Sequence, residues 1–273
     1  MRHYISVDME GISGIANWNE MEKDVKRVNE LMTQEVNAVI EGIIDGDPGA
    51  EEILVCDAHG YGDNIYPEKL NKKATVVRGT PRRNYMMVGI DPRFNLSYYI
   101  GYHCAAGTIS GAMDHTMSGA SIRELKINDQ AVGEFELNGG YAGSLGVKIA
   151  LASGDSHFCN NVASLKLGTL TVMTKIADTR FCSTLFHPDM VREELKNKAK
   201  EAAKQGVSSF KTLVFDSPYT VTVDLTNSIK ADMASLIPVV KRVSGTKVQY
   251  TVDTYPDLYN MFEAIVCLAG SAK

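Results

Sequence analysis

The chain has 273 residues, 44% of them hydrophobic and 22% charged, with a formal net charge of −5 from 28 basic and 33 acidic side chains. That length and apolar content suit one large soluble domain or two modest ones. The acidic balance speaks against nucleic acid or an anionic membrane surface as a partner, and no apolar run approaches the ~20 residues needed to cross a bilayer.

Residues 3–7 are apolar and β-prone, and Gly11 and Gly14 break the run at once. Asp8 and Glu10 follow at its carboxyl end. Two carboxylates so close repel each other, which a divalent cation between them would relieve. Val28, Leu31, Met32, Val36, Val39, Ile40, Ile43 and Ile44 then recur at helical spacing, until Asp45-Gly46-Asp47-Pro48-Gly49 stops the helix. Strand, helix and strand form a right-handed crossover, so the first strand and the next, residues 52–56, are expected to be parallel neighbours. The second strand runs into Asp57-Ala58-His59-Gly60, and a third, residues 96–102, runs into His103. Residues 124–127, a turn at Asn128-Asp129 and residues 131–134 read as a hairpin returning a carboxylate. A helix over 139–146, a strand over 147–152 and a last strand over 170–174 complete this region.

Beyond it, a charged helix spans 188–205, with Pro188 at its start. A half-exposed strand over 219–225, a helix over 228–236, a strand over 247–252 and a closing helix over 256–268 follow. The fold class expected is α/β: an open, mostly parallel sheet flanked by helices over residues 1–185, and a smaller C-terminal α+β domain over 186–273.

Ligands of open α/β sheets gather outside the carboxyl ends of the strands. Asp8, Glu10, His59 and His103 all sit there, with a further carboxylate from the hairpin, where Glu134 and Glu136 would share one strand face. Two imidazoles and three carboxylates suit a pair of zinc-like ions that share one carboxylate and keep positions open for water and substrate. Manganese or cobalt would also accept such ligands. Asp57 reads as a support for the histidine loop and not as a ligand. His3, His157 and His187 read as incidental, and Trp18 as a residue that could line a pocket.

These motifs carry a resemblance. Ser6-Val7-Asp8-Met9-Glu10-Gly11-Ile12-Ser13-Gly14, Asp57-Ala58-His59, Gly101-Tyr102-His103, Met113-Asp114-His115-Thr116-Met117-Ser118, Ile127-Asn128-Asp129 and Val132-Gly133-Glu134 resemble, in the same order, the D-aminopeptidases of the dipeptide-operon type, peptidase family M55. The resemblance implies a dinuclear zinc aminopeptidase that removes an N-terminal residue, such as D-alanine, from short peptides with a metal-activated water. It implies that Asp8 bridges the ions, that Glu10 and His59 complete one, and that His103 and Glu134 complete the other. Glu134 is selected over Glu136 by its place in the Val-Gly-Glu motif. The family's remaining active-site histidine falls on His115, which physical argument favours as an acid/base or oxyanion donor. The resemblance also implies a homo-oligomer, a decamer of two stacked pentameric rings. Residues 15–26 and the loop after His59 depart from the family pattern, and the C-terminal third carries none of its motifs.

Cys56, Cys104, Cys159, Cys182 and Cys267 are odd in number and lack CxxC spacing, as free thiols of a reducing compartment would. The first strand starts almost at Met1, so no secretory leader is expected and a cytoplasmic location is. Two rival readings are a two-metal phosphoesterase served by Arg78, Arg82, Arg83 or Arg123, and a non-catalytic dipeptide-binding component of an uptake system.

Overall fold

The computed structural model describes residues 1–272. In chain order its elements are β1 (Arg2–Val7), α1 (Trp18–Lys23), α2 (Val25–Gly46), β2 (Glu52–Asp57), β3 (Thr75–Val77), β4 (Leu96–Ile100), β5 (Ile122–Ile127) and β6 (Gln130–Val132). They continue with α3 (Glu134–Ser144), β7 (Lys148–Asp155), α4 (Ser156–Ser164), β8 (Leu170–Thr179), β9 (Cys182–Leu185) and α5 (Pro188–Gln205). The last are β10 (Tyr219–Leu225), α6 (Ser228–Ala234), β11 (Lys241–Arg242), β12 (Lys247–Val252) and α7 (Tyr255–Ser271).

Two sheets result. The larger has the order β3-β2-β1-β4-β7-β8-β9, parallel except for the edge strand β9. Its central strands are buried on both faces, which is why β1 and β4 read as continuous apolar runs. Side chains alternate between two core layers. Ile5 joins the layer under α2 and α5, while Tyr4 joins the one shared with the second sheet and α7. The chain runs outward from β1 through β2 to β3, then returns to β4 on the other side of β1. Strand order therefore reverses between β1 and β4, the position where such sheets open a crevice for ligands.

The smaller sheet is antiparallel, in the order β11-β12-β10-β5-β6. Its β5–β6 hairpin turns through Asn128 and Asp129, both with left-handed φ (48° and 64°), as the two-residue turn requires. Of the stretch expected as a smaller domain, 186–273, the first helix, α5, lies along α2 over the parallel sheet, and strand β10 pairs with β5 from the earlier part of the chain. The strand expected over 170–174 continues to Thr179 and is joined by β9. Among the described residues no helix is long and apolar enough to cross a membrane.

Helices α2 and α5 approach closely because Gly42 and Gly46 lie at their crossing. A Cβ at Gly42 would collide with the backbone carbonyl of Lys196 and come within 2.8 Å of Ala199 Cβ. Alanine at position 42 would gain about 1 kcal/mol of helix propensity, but overpacking against rigid backbone costs roughly 1–3 kcal/mol or more. Gly42→Ala is therefore expected to lower unfolding free energy by about 1–2 kcal/mol, read as a reduced urea midpoint at unchanged m-value.

Candidate metal centre

The loops after β1 and β4 bring the first ligand candidates together. Asp8 N donates to Ile100 O at 2.8 Å and Gly11 N to Gly101 O at 2.7 Å, so the two strand ends continue side by side past the sheet. A Cβ on Gly11 would collide with Tyr102 O. Gly101, at φ +70°, would collide with Asp8 O and come within 2.6 Å of Ile12 Cδ1. Only glycine permits that approach.

Around this junction five side chains converge. His59 Nδ1 lies 3.1 Å from Asp8 Oδ1 and 3.1 Å from Glu10 Oε2. His103 Nε2 lies 3.3 Å from Asp8 Oδ2 and 3.4 Å from Glu134 Oε1. Asp8, Glu10 and His59 form one group of possible ligand atoms lying within 4.8 Å of one another, and Asp8, His103 and Glu134 form a second. The two share Asp8, which turns one oxygen to each. Asp8, Glu10, His103 and Glu134 are all buried.

The donor set fits divalent cations. Asp8 Oδ2, Glu10 Oε2 and His103 Nε2 are buried without a hydrogen-bond partner among the described residues. Orphaned polar atoms of this kind cost about 1–3 kcal/mol each, and more when charged. His103 Nδ1 is 2.9 Å from Cys104 O, and as the donor of that bond it leaves a lone pair on Nε2 toward the carboxylates. Burial would raise the pKa of Glu10, but His59, His115 and His103 overcome it and hold the carboxyl well below its usual range. Burial would likewise lower His59 and His103, yet the surrounding carboxylates hold both well above the ordinary imidazole value. The carboxylates thus draw positive charge to themselves, and an entering cation would displace those protons.

His115 covers the group. Its ring stacks on that of His103 at a centroid distance of 4.0 Å and an interplanar angle of 11°, and meets Trp18 edge-on at 5.6 Å. Nδ1 lies 2.9 Å from Met113 O, while Nε2 points toward Glu134 Oε1 at 3.6 Å and Glu10 Oε1 at 3.8 Å.

Glu134 reaches the cluster, but from a different element than expected. It is the first residue of α3 and not the end of a hairpin strand. The alternation Glu134-Phe135-Glu136-Leu137 imitates a strand because Phe135 and Leu137 are both buried, yet Asn138, Tyr141 and Ala142 continue the buried face at helical spacing. On a helix Glu136 turns away from Glu134. Its carboxylate accepts from Gly133 N at 2.9 Å and from Asn161 Nδ2 at 2.5 Å, which caps the helix.

The family model for peptidase M55, described as D-aminopeptidase, matches residues 1–264. The chain belongs to this family. A D-aminopeptidase of Bacillus subtilis (strain 168) is 29% identical over 276 residues, covering 100% of this chain and 98% of the relative. The solved structure of the zinc-dependent D-aminopeptidase DppA from Bacillus subtilis, described as a self-compartmentalizing protease, superposes with a TM-score of 0.93 at 28% identity. That match covers 99% of this chain and 98% of the other.

In this M55 chain the groups behind the cluster are as ordered as the cluster itself. Trp18 Nε1 donates to Glu10 Oε1 at 3.0 Å, and Met117 N to Glu134 Oε1 at 2.6 Å. Asp57 accepts from Asn64 N, Ile65 N and Asn64 Nδ2 at 2.7–2.8 Å, and the same amide reaches His59 O at 2.8 Å. Asp57 thus closes the histidine loop. Asp155 caps α4 through His157 N and Phe158 N at 2.7 and 3.2 Å.

Sequence reasoning missed the clamp on the loop after β1. Lys175, at 0% exposure, donates from Nζ to Glu10 O and to Ile15 O, both at 2.6 Å. Thr174 Oγ1 donates to Gly11 O at 2.5 Å. From α2, buried Glu35 accepts from Ser13 N at 2.8 Å and Ser13 Oγ at 2.5 Å. Burial depresses the Lys175 pKa to about 8, with Glu35, Asp155 and Glu10 opposing. A lysine just beyond an apolar run reads in sequence as the wet end of a strand. Only the continuation of β8 carries it under the loop.

Lys175→Met would leave two carbonyls unpaired at about 1–3 kcal/mol each, partly offset because a cation need no longer be desolvated. The expected loss is about 2 kcal/mol in urea unfolding of the metal-free protein, with zinc affinity weakened roughly 10–100-fold in a competitive chelator titration.

Proposed function

We propose that this chain is a dinuclear zinc aminopeptidase that releases an N-terminal D-residue, such as D-alanine, from short peptides. The observation that carries this reading is the pair of His/carboxylate groups sharing Asp8. Asp8 would be shared between two ions, Glu10 and His59 would hold the first, and His103 and Glu134 the second, with manganese or cobalt as substitutes for zinc. Bound there, such ions supply Lewis acidity toward the scissile carbonyl and an acidified water.

The protein's own groups do the rest. With Nδ1–H of His115 engaged by Met113 O, Nε2 is left to take a proton from the attacking water and return it toward the leaving amine. Stacking on His103 and the edge of Trp18 fixes that ring in place. Trp18 and Met117 hold Glu10 and Glu134 in the orientation that faces the shared aspartate.

Phosphoester chemistry is less well served. Arg78 donates to Asp63 O at 2.6 Å and Arg123 to Thr226 O at 2.9 Å, so these two guanidiniums hold backbone in place, and Arg82 gives one of its nitrogens to Asp57 O at 2.5 Å. By analogy with the self-compartmentalizing relative, we take this chain to assemble as a homo-oligomer; the motif resemblance extends that to two stacked pentameric rings acting on short peptides in the cytoplasm.

Elemental analysis of the purified protein is expected to find about two zinc ions per chain. D-aminoacyl p-nitroanilides should be cleaved in preference to their L-counterparts. Asp8→Ala should lose both metal and activity. His115→Ala should keep its zinc and lose roughly 10²–10⁴-fold in kcat. L-selective cleavage would overturn the assigned substrate, and a metal-free, inactive protein would overturn the enzyme.

A further inference from the structure

Two clefts border the metal candidates: one of about 460 Å³ lined by His59, Trp18 and Met9 on the α1–α2 side, and one on the α7 side. The second is the more apolar of the two. It has a volume of about 360 Å³ and is walled mainly by apolar groups, among them Tyr61, Pro81, Tyr85, Met117 and Val266, with Glu263 as its charged lining residue. Its inner end belongs to the same loops that carry the candidate ligands. Gly60, which lines it, follows His59 directly, and the backbone N–H of Met117 donates to the Glu134 carboxylate at 2.6 Å. Tyr85 lines the cleft between those loops and α7. Its hydroxyl donates to Gly60 O, and the charges of Glu134, Asp8 and Glu263 all bear on its phenol. A roomier cleft of about 500 Å³ lies between α2 and α5, but its lining is mostly polar, including Gln34, Glu41 and Arg192.

The outer wall of the smaller cleft comes from α7, and it is tied to the segment that carries Tyr85. Asn84 N donates to Asn260 Oδ1 at 3.2 Å and Met86 N to Tyr259 OH at 3.3 Å, so the segment carrying Tyr85 is bonded to α7 on both sides. The cleft is therefore held open by built structure. Its size and walls match those of small-molecule sites, which are concave, mostly apolar and largely pre-formed.

An aminopeptidase engages the amino group and scissile carbonyl of a single residue at its metals. That residue's side chain must then lie within one residue's reach of the ligands. We propose that this cleft, closed by Val266 and Glu263 of α7, receives the side chain of the substrate's N-terminal residue and selects a large aliphatic or aromatic one over alanine. The assignment rests on the aminopeptidase reading above but replaces its example, D-alanine, with a larger N-terminal residue. A methyl group would leave most of the cleft unfilled, whereas a leucyl or phenylalanyl side chain replaces water along apolar walls. Each added methylene in such a pocket is worth roughly 10–200-fold in discrimination. The carboxylate of Glu263 at the mouth repels an acidic side chain.

The test separates binding from turnover. The zinc-loaded protein is titrated by calorimetry with D-leucinamide and with D-alaninamide, while cleavage of D-leucyl and D-alanyl p-nitroanilides is followed in parallel. The natural chain should bind D-leucinamide at least ~10-fold more tightly, with a matching ratio in kcat/KM expressed mainly in KM. Val266→Trp, at a half-exposed position, should fill the cleft and collapse both ratios. Val266→Ala, which removes bulk and does not depend on accommodating an indole, should move the preference from leucyl toward phenylalanyl compounds. Equal binding of the two amides, or ratios untouched by both variants, would overturn the pocket even if D-peptides are cleaved. The binding ratio and its loss in Val266→Trp, without any hydrolysis, would keep the pocket and sink the peptidase.

Discussion

Everything in this structure is arranged around an electrostatic conflict: three carboxylates, those of Asp8, Glu10 and Glu134, are buried together at the mouth of a parallel sheet. Carboxylates removed from water and placed side by side repel and lose hydration at once, a cost of several kcal/mol per ion unless positive charge is brought to them. Two imidazoles are not enough, because each must give up a proton to act as a ligand. The orphaned oxygens of Asp8 and Glu10 and the orphaned Nε2 of His103 mark where the compensation is missing.

Holding that conflict in one geometry explains features that look unrelated in sequence. The reversal of strand order between β1 and β4 brings Asp8 and His103 to the same crevice, and Gly11 and Gly101 let the two loops touch. Beneath them the carbonyls of Glu10, Gly11 and Ile15 point into the protein and would be unsatisfied without Lys175 and Thr174. The buried ammonium therefore serves the backbone of the acidic loop. It also brings a positive charge near Glu35 and Glu10, where burial alone would favour the neutral carboxyl.

The legible and illegible parts of the sequence divide along physical lines. Local signals carried the parallel strands, the long α2 helix, the Asn128-Asp129 turn, and the strands and helices of the last third, because periodicity and turn chemistry are properties of short segments. The candidate ligands were legible too, since each closes a strand-like run or lies in a recognisable motif. Three things were not. Glu134 sits on a helix whose first turn imitates a strand, because burial of Phe135 and Leu137 alternates for just long enough. The clamp from Lys175 depends on which side chains end up beneath a loop more than 150 residues away, and nothing in its neighbourhood announces that. The pairing of β5 with β10 joins the two parts of the chain in one sheet, a tertiary fact that no window of local sequence contains.

The same division separates chemistry from selectivity. Groups that could hold metal and move protons lie between Asp8 and Glu134, on loops whose glycines and buried hydrogen bonds leave little room for change. The wall of the adjoining cleft is supplied by α7, near the end of the chain. There Glu263 and Val266 are partly buried and line the cleft, so substitution at those positions alters its volume and charge. A helix that packs through Leu258, Phe262 and Ile265 can keep its place in the core while its other face is redrawn. In an architecture of this kind the proposed metal centre can serve substrates of different size, because the residues that would measure the side chain are not the candidate cation ligands.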